Sequence, residues 1–330
     1  MANPSTVFTQ MVSATNRNWG KEVVDNISDQ NVFINVLKKK GKINTISGGY
    51  EIARQVEYAE NTTYQRFGGY DALNTDASDT LTSVVYPLRQ IALHVTASGF
   101  ELRTNMSKEK MIDFVKQRKA NALRTAANQF SIDLYSSGAL SNQINGLANL
   151  VQTDGNGTVG GIDASTTDGA FWRNQFREAT GTNTAATPTL ANSTQFIGDM
   201  NALYLSLVFG MDKPDTIVMS HDFFALYEVA FQDKIRYMSN ETAKGGFHSY
   251  VYKPGTTVYF DNNTNFTSTA ERAYFLNTDY LYLAQHKEAQ WTPDDEKVPV
   301  NQDAVVIPFY WMGNLVLTNR SRQGILFDAA

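Results

Sequence analysis

The chain has 330 residues, a formal net charge of −5 at pH 7 and no cysteine. The missing thiols exclude disulfides, thiolate metal sites and a cysteine nucleophile, and the acidic balance argues against a surface given over wholly to nucleic acid. At this length more than one structural unit is expected, and 16 Tyr with 19 Phe favour sheets and large buried interfaces. No basic-then-apolar leader opens the sequence and no apolar run approaches the roughly 20 residues of a membrane span, so a soluble chain without membrane contact is expected.

Residues 1–42 read as a mostly polar arm with helical patches. Trp19, Val23 and Ile27, then Val32, Phe33, Val36 and Leu37, keep helical spacing, with Asp29 as an N-cap and Lys38-Lys39-Lys40-Gly41 as a cationic stop. Arg17, Lys21, Lys38, Lys39, Lys40 and Lys42 outnumber Glu22, Asp25 and Asp29, so the arm is locally basic. From 43 to 102 the pattern turns extended. Tyr50–Tyr58 alternates as a strand and Thr80–Ala97 reads as its return. Between them Asn61–Asp79 carries Arg66, Gly68 and Gly69 near its middle and little that could fill a core. Two strands joined by a polar excursion make a long hairpin that cannot bury itself, and such a projection needs a partner subunit.

Ser107–Ser136 is the longest helical pattern. Ser107 and Glu109 mark its start, Ile112, Val115, Leu123, Ala126, Phe130 and Leu134 recur at helical spacing, and Gly138 follows it. A helix of about 30 residues is a rod of roughly 45 Å. Lys108, Lys110, Lys116, Arg118, Lys119 and Arg124 stand against only Glu109 and Asp113, which suits either plain solvation or phosphate. Residues 147–285 then alternate helices and strands. Gln195–Val208 is amphipathic, Thr216–Met219 reads as a buried strand, Ser220-His221-Asp222 opens a helix, and Val251–Lys253, Thr257–Phe260 and Ala273–Ala284 read as strands. Asn183–Ala191, rich in Thr, Ala and Asn, reads as a loop. From Gln290 the chain is extended again, with strands at Ala304–Phe309, Tyr310–Thr318 and Gly324–Phe327, and Pro299 and Pro308 marking edge or kinked positions.

No catalytic constellation stands out. His94, His221, His248 and His286 lack metal-binding spacing, no Gly-rich phosphate loop or nucleophile elbow occurs, and Asp294-Asp295-Glu296 reads as a solvated turn.

The distinctive string lies where the long helix ends. Gly146-Leu147 is followed by Gly160-Gly161-Ile162-Asp163 and then Phe171-Trp172-Arg173-Asn174. Taken alone, these residues describe a glycine-permitted turn, a short helix capped by Asp163 or Ser165, and two aromatic anchors. Their order and spacing resemble the major capsid proteins of tailed bacteriophages, a family with the Hong Kong 97-type shell fold. The resemblance implies an α+β fold with an N-terminal arm (1–42), an extended loop with its base strands (43–102), a peripheral domain (103–146 plus 286–330) built on a spine helix at about 107–136, and an axial domain (147–285). Gly146, Leu147, Gly160, Gly161, Ile162, Asp163, Phe171 and Trp172 then belong to the domain junction. Arg66, Gly68 and Gly69 become an inter-subunit tip, and Lys108, Lys110, Lys116, Arg118, Lys119 and Arg124 face packaged DNA.

The function so implied is assembly without catalysis or cofactor: hexamers and pentamers closing an icosahedral head around double-stranded DNA, made in the bacterial cytoplasm and ending in the virion. Partners implied are copies of the chain itself, a portal protein, a decoration protein and DNA held by non-specific electrostatics. Residues 43–107 contain no Lys, so the Lys-to-Asn crosslink known in the family cannot form from this loop. Only about 105 residues precede the long helix, so either a separate scaffolding protein or a proteolytically processed chain is expected. An encapsulin-like shell, a tail protein and an α+β enzyme are the alternatives.

Overall fold

The computed structural model describes residues 32–104, 114–179, 190–231, 249–261, 271–293 and 297–328. In chain order these form helix α1 (Val32–Lys39), strands β1 (Ile43–Ile46), β2 (Glu51–Glu57), β3 (Leu81–Pro87) and β4 (Arg89–Ser98), and helices α2 (Gly99–Thr104), α3 (Phe114–Tyr135) and α4 (Leu147–Leu150). Strands β5 (Thr158–Val159), β6 (Ile162–Asp163) and β7 (Gln175–Glu178) follow, with a 3-10 turn at Ala170–Trp172. Helix α5 (Leu190–Leu207), β8 (Thr216–Met219), α6 (His221–Phe231), β9 (Ser249–Lys253), β10 (Thr256–Phe260), β11 (Arg272–Leu276), β12 (Leu281–Pro293), β13 (Ala304–Leu317) and β14 (Gly324–Phe327) complete it.

The chain falls into two compact units. The larger comprises 32–89, 131–285 and 313–330, and the smaller includes 90–130 and 286–312. The larger unit is built on a six-stranded mixed sheet of order β7-β14-β11-β8-β10-β9. Every residue of β8 is buried, as its Ile-Val-Met apolar run after Thr216 requires of a central strand. Helices α5 and α6 cover the sheet through Phe196, Met200, Leu203 and Phe223, which pack with Ile217, Met219, Phe275 and Leu326. In the smaller unit β13 lies between β12 and β4, and Val95, Ile307 and Phe309 form the core with Leu93 and Ala122 beside them.

Several sequence expectations need correcting here. The return strand expected at Thr80–Ala97 is two strands parted at Leu88, because β3 pairs with β2 whereas β4 pairs with β13. Ala273–Ala284 is likewise two strands, β11 and the start of β12, separated by a turn at 277–280. Conversely, Ala304–Phe309 and Tyr310–Thr318 are one strand of 14 residues, and Pro308 sits inside it rather than at an edge. The long helix is described from Phe114 to Tyr135, so Ser107, Lys108 and Lys110 lie outside the described residues, as do Asp294–Glu296 and Asn183–Thr189 of the expected loop, whose last residues, Leu190 and Ala191, instead begin α5. Ahead of it, α2 was not anticipated. Its Ser98-Gly99-Phe100-Glu101 start is a capping box: the Ser98 N–H donates to the Glu101 carboxylate (3.0 Å) and the Glu101 N–H to Ser98 Oγ (3.2 Å).

Candidate functional site

Strands β2 and β3 pair antiparallel from Glu51↔Pro87 to Glu57↔Leu81 and form a sheet of two strands only. Two strands alone are marginal in water, so the hairpin must be held from outside itself. Its base is well braced. Arg54 Nε donates to the Tyr282 hydroxyl at 2.7 Å, and the buried Tyr86 hydroxyl donates to the Leu317 carbonyl at 2.9 Å. The Asn314 side-chain amide donates to the Pro87 carbonyl (2.8 Å) while its oxygen accepts the Asn145 N–H (2.8 Å), tying hairpin base to helix exit.

Beyond the base, residues 58–80 run outward without regular structure. Tyr64, Phe67, Tyr70 and Leu73 are all exposed, Tyr70 fully so. Arg66, Gly68 and Gly69 are exposed among them. The tip holds itself through small turns: the Gly68 N–H donates to Asp71 Oδ2 at 2.6 Å, and Gln65 Nε2 to the Ala72 carbonyl at 3.2 Å. Four large apolar side chains in one exposed excursion exceed the scattered singles that a monomer surface carries. Glu60, Asp71, Asp76 and Asp79 against Arg66 make the excursion acidic.

The string 146–174 forms the brace beneath this hairpin. A Cβ on Gly146 would lie 2.2 Å from the Ser136 carbonyl oxygen and 2.6 Å from that of Asp133, so only glycine lets the chain cross the end of α3. Leu147 is fully buried behind it. Gly160 and Gly161 have φ of +62° and +83° and form the two-residue turn between β5 and β6, where Val159 pairs with Ile162. Both central residues of such a turn need positive φ, which Gly-Gly supplies without strain. The Gly160 carbonyl accepts the Val85 N–H of β3 at 2.9 Å, and a Cβ there would touch Val84 and Tyr86.

Each member of Phe171-Trp172-Arg173-Asn174 has its own partner. Phe171 packs on Tyr58 at the end of β2, ring centroids 5.6 Å apart. The buried Trp172 donates its indole N–H to the Val159 carbonyl at 3.0 Å. Arg173 Nε donates to the Ala164 carbonyl, and buried Asn174 bridges both the N–H and the carbonyl of Gln152. Asp163 caps no helix, contrary to expectation. Its Oδ1 accepts the Ser165 N–H and hydroxyl, which holds its carboxyl below the usual range and closes a local turn. Of the two expected aromatic anchors, only Trp172 is fully buried; Phe171 is half-buried against the hairpin.

The basic residues are less free than their count suggests. Arg118 grips the buried Glu101 with both terminal nitrogens (2.9 and 3.0 Å) and donates to the Thr96 carbonyl. Burial pushes the Glu101 carboxyl up, but Arg118 and the Ser98 N–H more than offset it and hold the group below its ordinary range. Lys40 pairs with Asp215 at 2.6 Å and Lys42 with Asp279 at 2.8 Å. Lys119 and Arg124 are half-buried on α3, and Lys116 lies within the same helix.

Among the buried polar residues, Asn314 and Arg320 escaped the sequence reading. The Asn-Arg order Asn319-Arg320 carries no local signal, since the partners of Arg320 lie 163 to 170 positions away. Among the described residues no group of three or more His, Asp or Glu could hold a metal, and no helix is long and apolar enough to cross a membrane.

No family model matches the chain, and no curated protein does. Solved structures do. The capsid of cyanophage A-1(L) superposes with a TM-score of 0.60 at 15% identity, covering 88% of this chain and 92% of that one. The chain has the Hong Kong 97-type capsid fold. The capsid of a native GTA particle matches over 100% of both chains (TM-score 0.56, 11% identity). The SrpI encapsulin of Synechococcus elongatus PCC 7942 covers 96% of this chain and 94% of its own (TM-score 0.52, 10% identity).

Proposed function

We propose that this chain is the major capsid protein of a tailed phage, assembling into hexamers and pentamers that close an icosahedral head around double-stranded DNA. The observation that carries the reading is the hairpin: a two-stranded projection with an exposed aromatic tip, rigidly braced at its base, on a capsid fold. A surface of this kind gains from burial only against another molecule, and a second copy of the chain is the partner that repeats around a shell. Summed over its neighbours each subunit then buries thousands of Å², the obligate class of interface.

The role is structural, and the partners beyond the shell itself are a scaffolding protein, a portal protein and a decoration protein. The inner surface holds DNA through sequence-independent phosphate attraction. Lys119 carries that part better than Arg118, which is committed to Glu101. Negative-stain microscopy of the purified full chain is the test. Closed shells or hexamers and pentamers support the proposal, tubes indicate a tail protein, and a stable monomer overturns it.

The likeness to an encapsulin, together with the pairing of Lys40, Lys42 and Arg118, favours one second reading, a shell enclosing protein cargo. The ultraviolet absorbance ratio of purified particles separates the two, since DNA-filled heads absorb near 260 nm and cargo-filled shells near 280 nm.

A further inference from the structure

Residues 152–163, Gln-Thr-Asp-Gly-Asn-Gly-Thr-Val-Gly-Gly-Ile-Asp, follow in part the pattern of a twelve-residue calcium loop, with Gln in place of its first Asp and Asp in place of its final Glu. Such a loop carries oxygen-bearing side chains at its first, third, fifth and twelfth positions and an obligatory glycine at the sixth. Here those positions are Gln152, Asp154, Asn156, Asp163 and Gly157, the last with φ of +82°. The carboxylates, however, do not converge. Asp154 Oδ1 accepts the Asn156 N–H at 3.0 Å, and Asp163 is turned to Ser165. What converges is the backbone. The carbonyls of Leu150, Asn156 and Gly157 all point at the guanidinium of Arg320, at 2.9, 2.6 and 3.3 Å.

Arg320 is fully buried, and its partners among the described residues are carbonyls rather than a carboxylate. Burying a cation is costly, and three charge-assisted bonds, with the charge of Asp154 nearby, are what offset it. Burial pulls its pKa down to about 10, so it remains protonated at neutral pH. The same loop continues directly into the Gly160-Gly161 turn that braces β3.

We infer that the 152–163 segment is a cation-organised loop whose cation is built into the chain: the Arg320 guanidinium does through backbone carbonyls what a bound divalent ion does through side-chain oxygens. The site created by removing that side chain is a receptor for a free guanidinium ion, planar and able to reach several carbonyls at once, and a poor one for ammonium or calcium. This inference concerns the subunit alone and stands whether or not the chain forms shells.

The test uses the full-length protein and thermal unfolding. Arg320→Ala lowers the unfolding temperature by roughly 5–10 °C. Millimolar guanidinium chloride recovers a substantial part of that loss, whereas equal sodium chloride or calcium chloride does not. Arg320→Lys, which keeps the charge but not the fork, stays below the wild type by several degrees. Calcium leaves the wild-type transition unmoved. The inference is overturned if Arg320→Ala melts like the wild type, if Arg320→Lys does, or if calcium stabilises either the wild type or the Ala variant. Should Arg320→Ala fail to fold, the Lys variant and the wild-type calcium titration still decide.

Discussion

Gly146 and Gly161 both belong to the 146–174 string, yet they are there for different reasons and their substitution has different costs. A Cβ at Gly146 runs into the backbone of Ser136 and Asp133, atoms that cannot step aside. Gly146→Ala therefore costs on the order of 3 kcal/mol. Gly161 faces open space and objects only through its φ of +83°, so Gly161→Ala costs about 1 kcal/mol. Urea unfolding of the two variants separates crowding from conformational strain, and equal losses would contradict the assignment. Arg118 is the other informative side chain. Arg118→Ala leaves the Glu101 carboxylate buried and uncompensated, and is expected to cost about 2–3 kcal/mol, most of which Glu101→Gln in the same chain restores. Lys119→Glu should leave stability unchanged and reduce the DNA content of purified particles. Local signals made some of this readable, such as glycines where the chain turns tightly; the Ser-x-x-Glu box at Ser98–Glu101 is just as local but was hidden inside the extended pattern of 43–102. Arg118 read as a free cation because nothing in its own helix reveals a carboxylate 17 residues upstream.

The hairpin and its brace answer to different measurements. Replacing Tyr64, Phe67 and Tyr70 together by Ser removes exposed apolar surface only, so the subunit's unfolding temperature is expected to hold while shell formation is lost. Trp172→Ala works the other way, costing about 4 kcal/mol from the core and loosening the hairpin base as a secondary effect. Finding that the tip variant still closes shells would remove the hairpin from the list of assembly contacts. Elements with one strong pattern were legible from sequence, such as β8 and α6, because an apolar run followed by Ser-His-Asp is a local signature. Elements defined by a change of partner were not. The break at Leu88 exists because β3 and β4 join different sheets, and the continuity of β13 through Pro308 exists because strands on both sides hold it. Pairing is non-local, and no window of sequence contains it.

Between neutral and mildly alkaline pH, one carboxyl makes stability depend on pH. Burial, then the hydrogen bond and charge of the neighbouring Asp222, push Glu271 up to about 9 from an ordinary 4.5. A folded-state value above the unfolded one means that the contribution is complete below about 4.5 and is lost as pH rises toward 9. The unfolding temperature is therefore expected to fall between pH 6 and pH 9, and Glu271→Gln to flatten that slope; an unchanged slope would show that the proton is held elsewhere.

The position of β14 has a consequence in time. It lies between β7 and β11, parallel to one and antiparallel to the other, and Arg320 just before it sets the loop that braces the hairpin. On the ribosome, the sheet stays open and the hairpin base unset until Phe327 has emerged. A half-made chain thus carries the aromatic tip but no firm platform beneath it until β14 has joined the sheet.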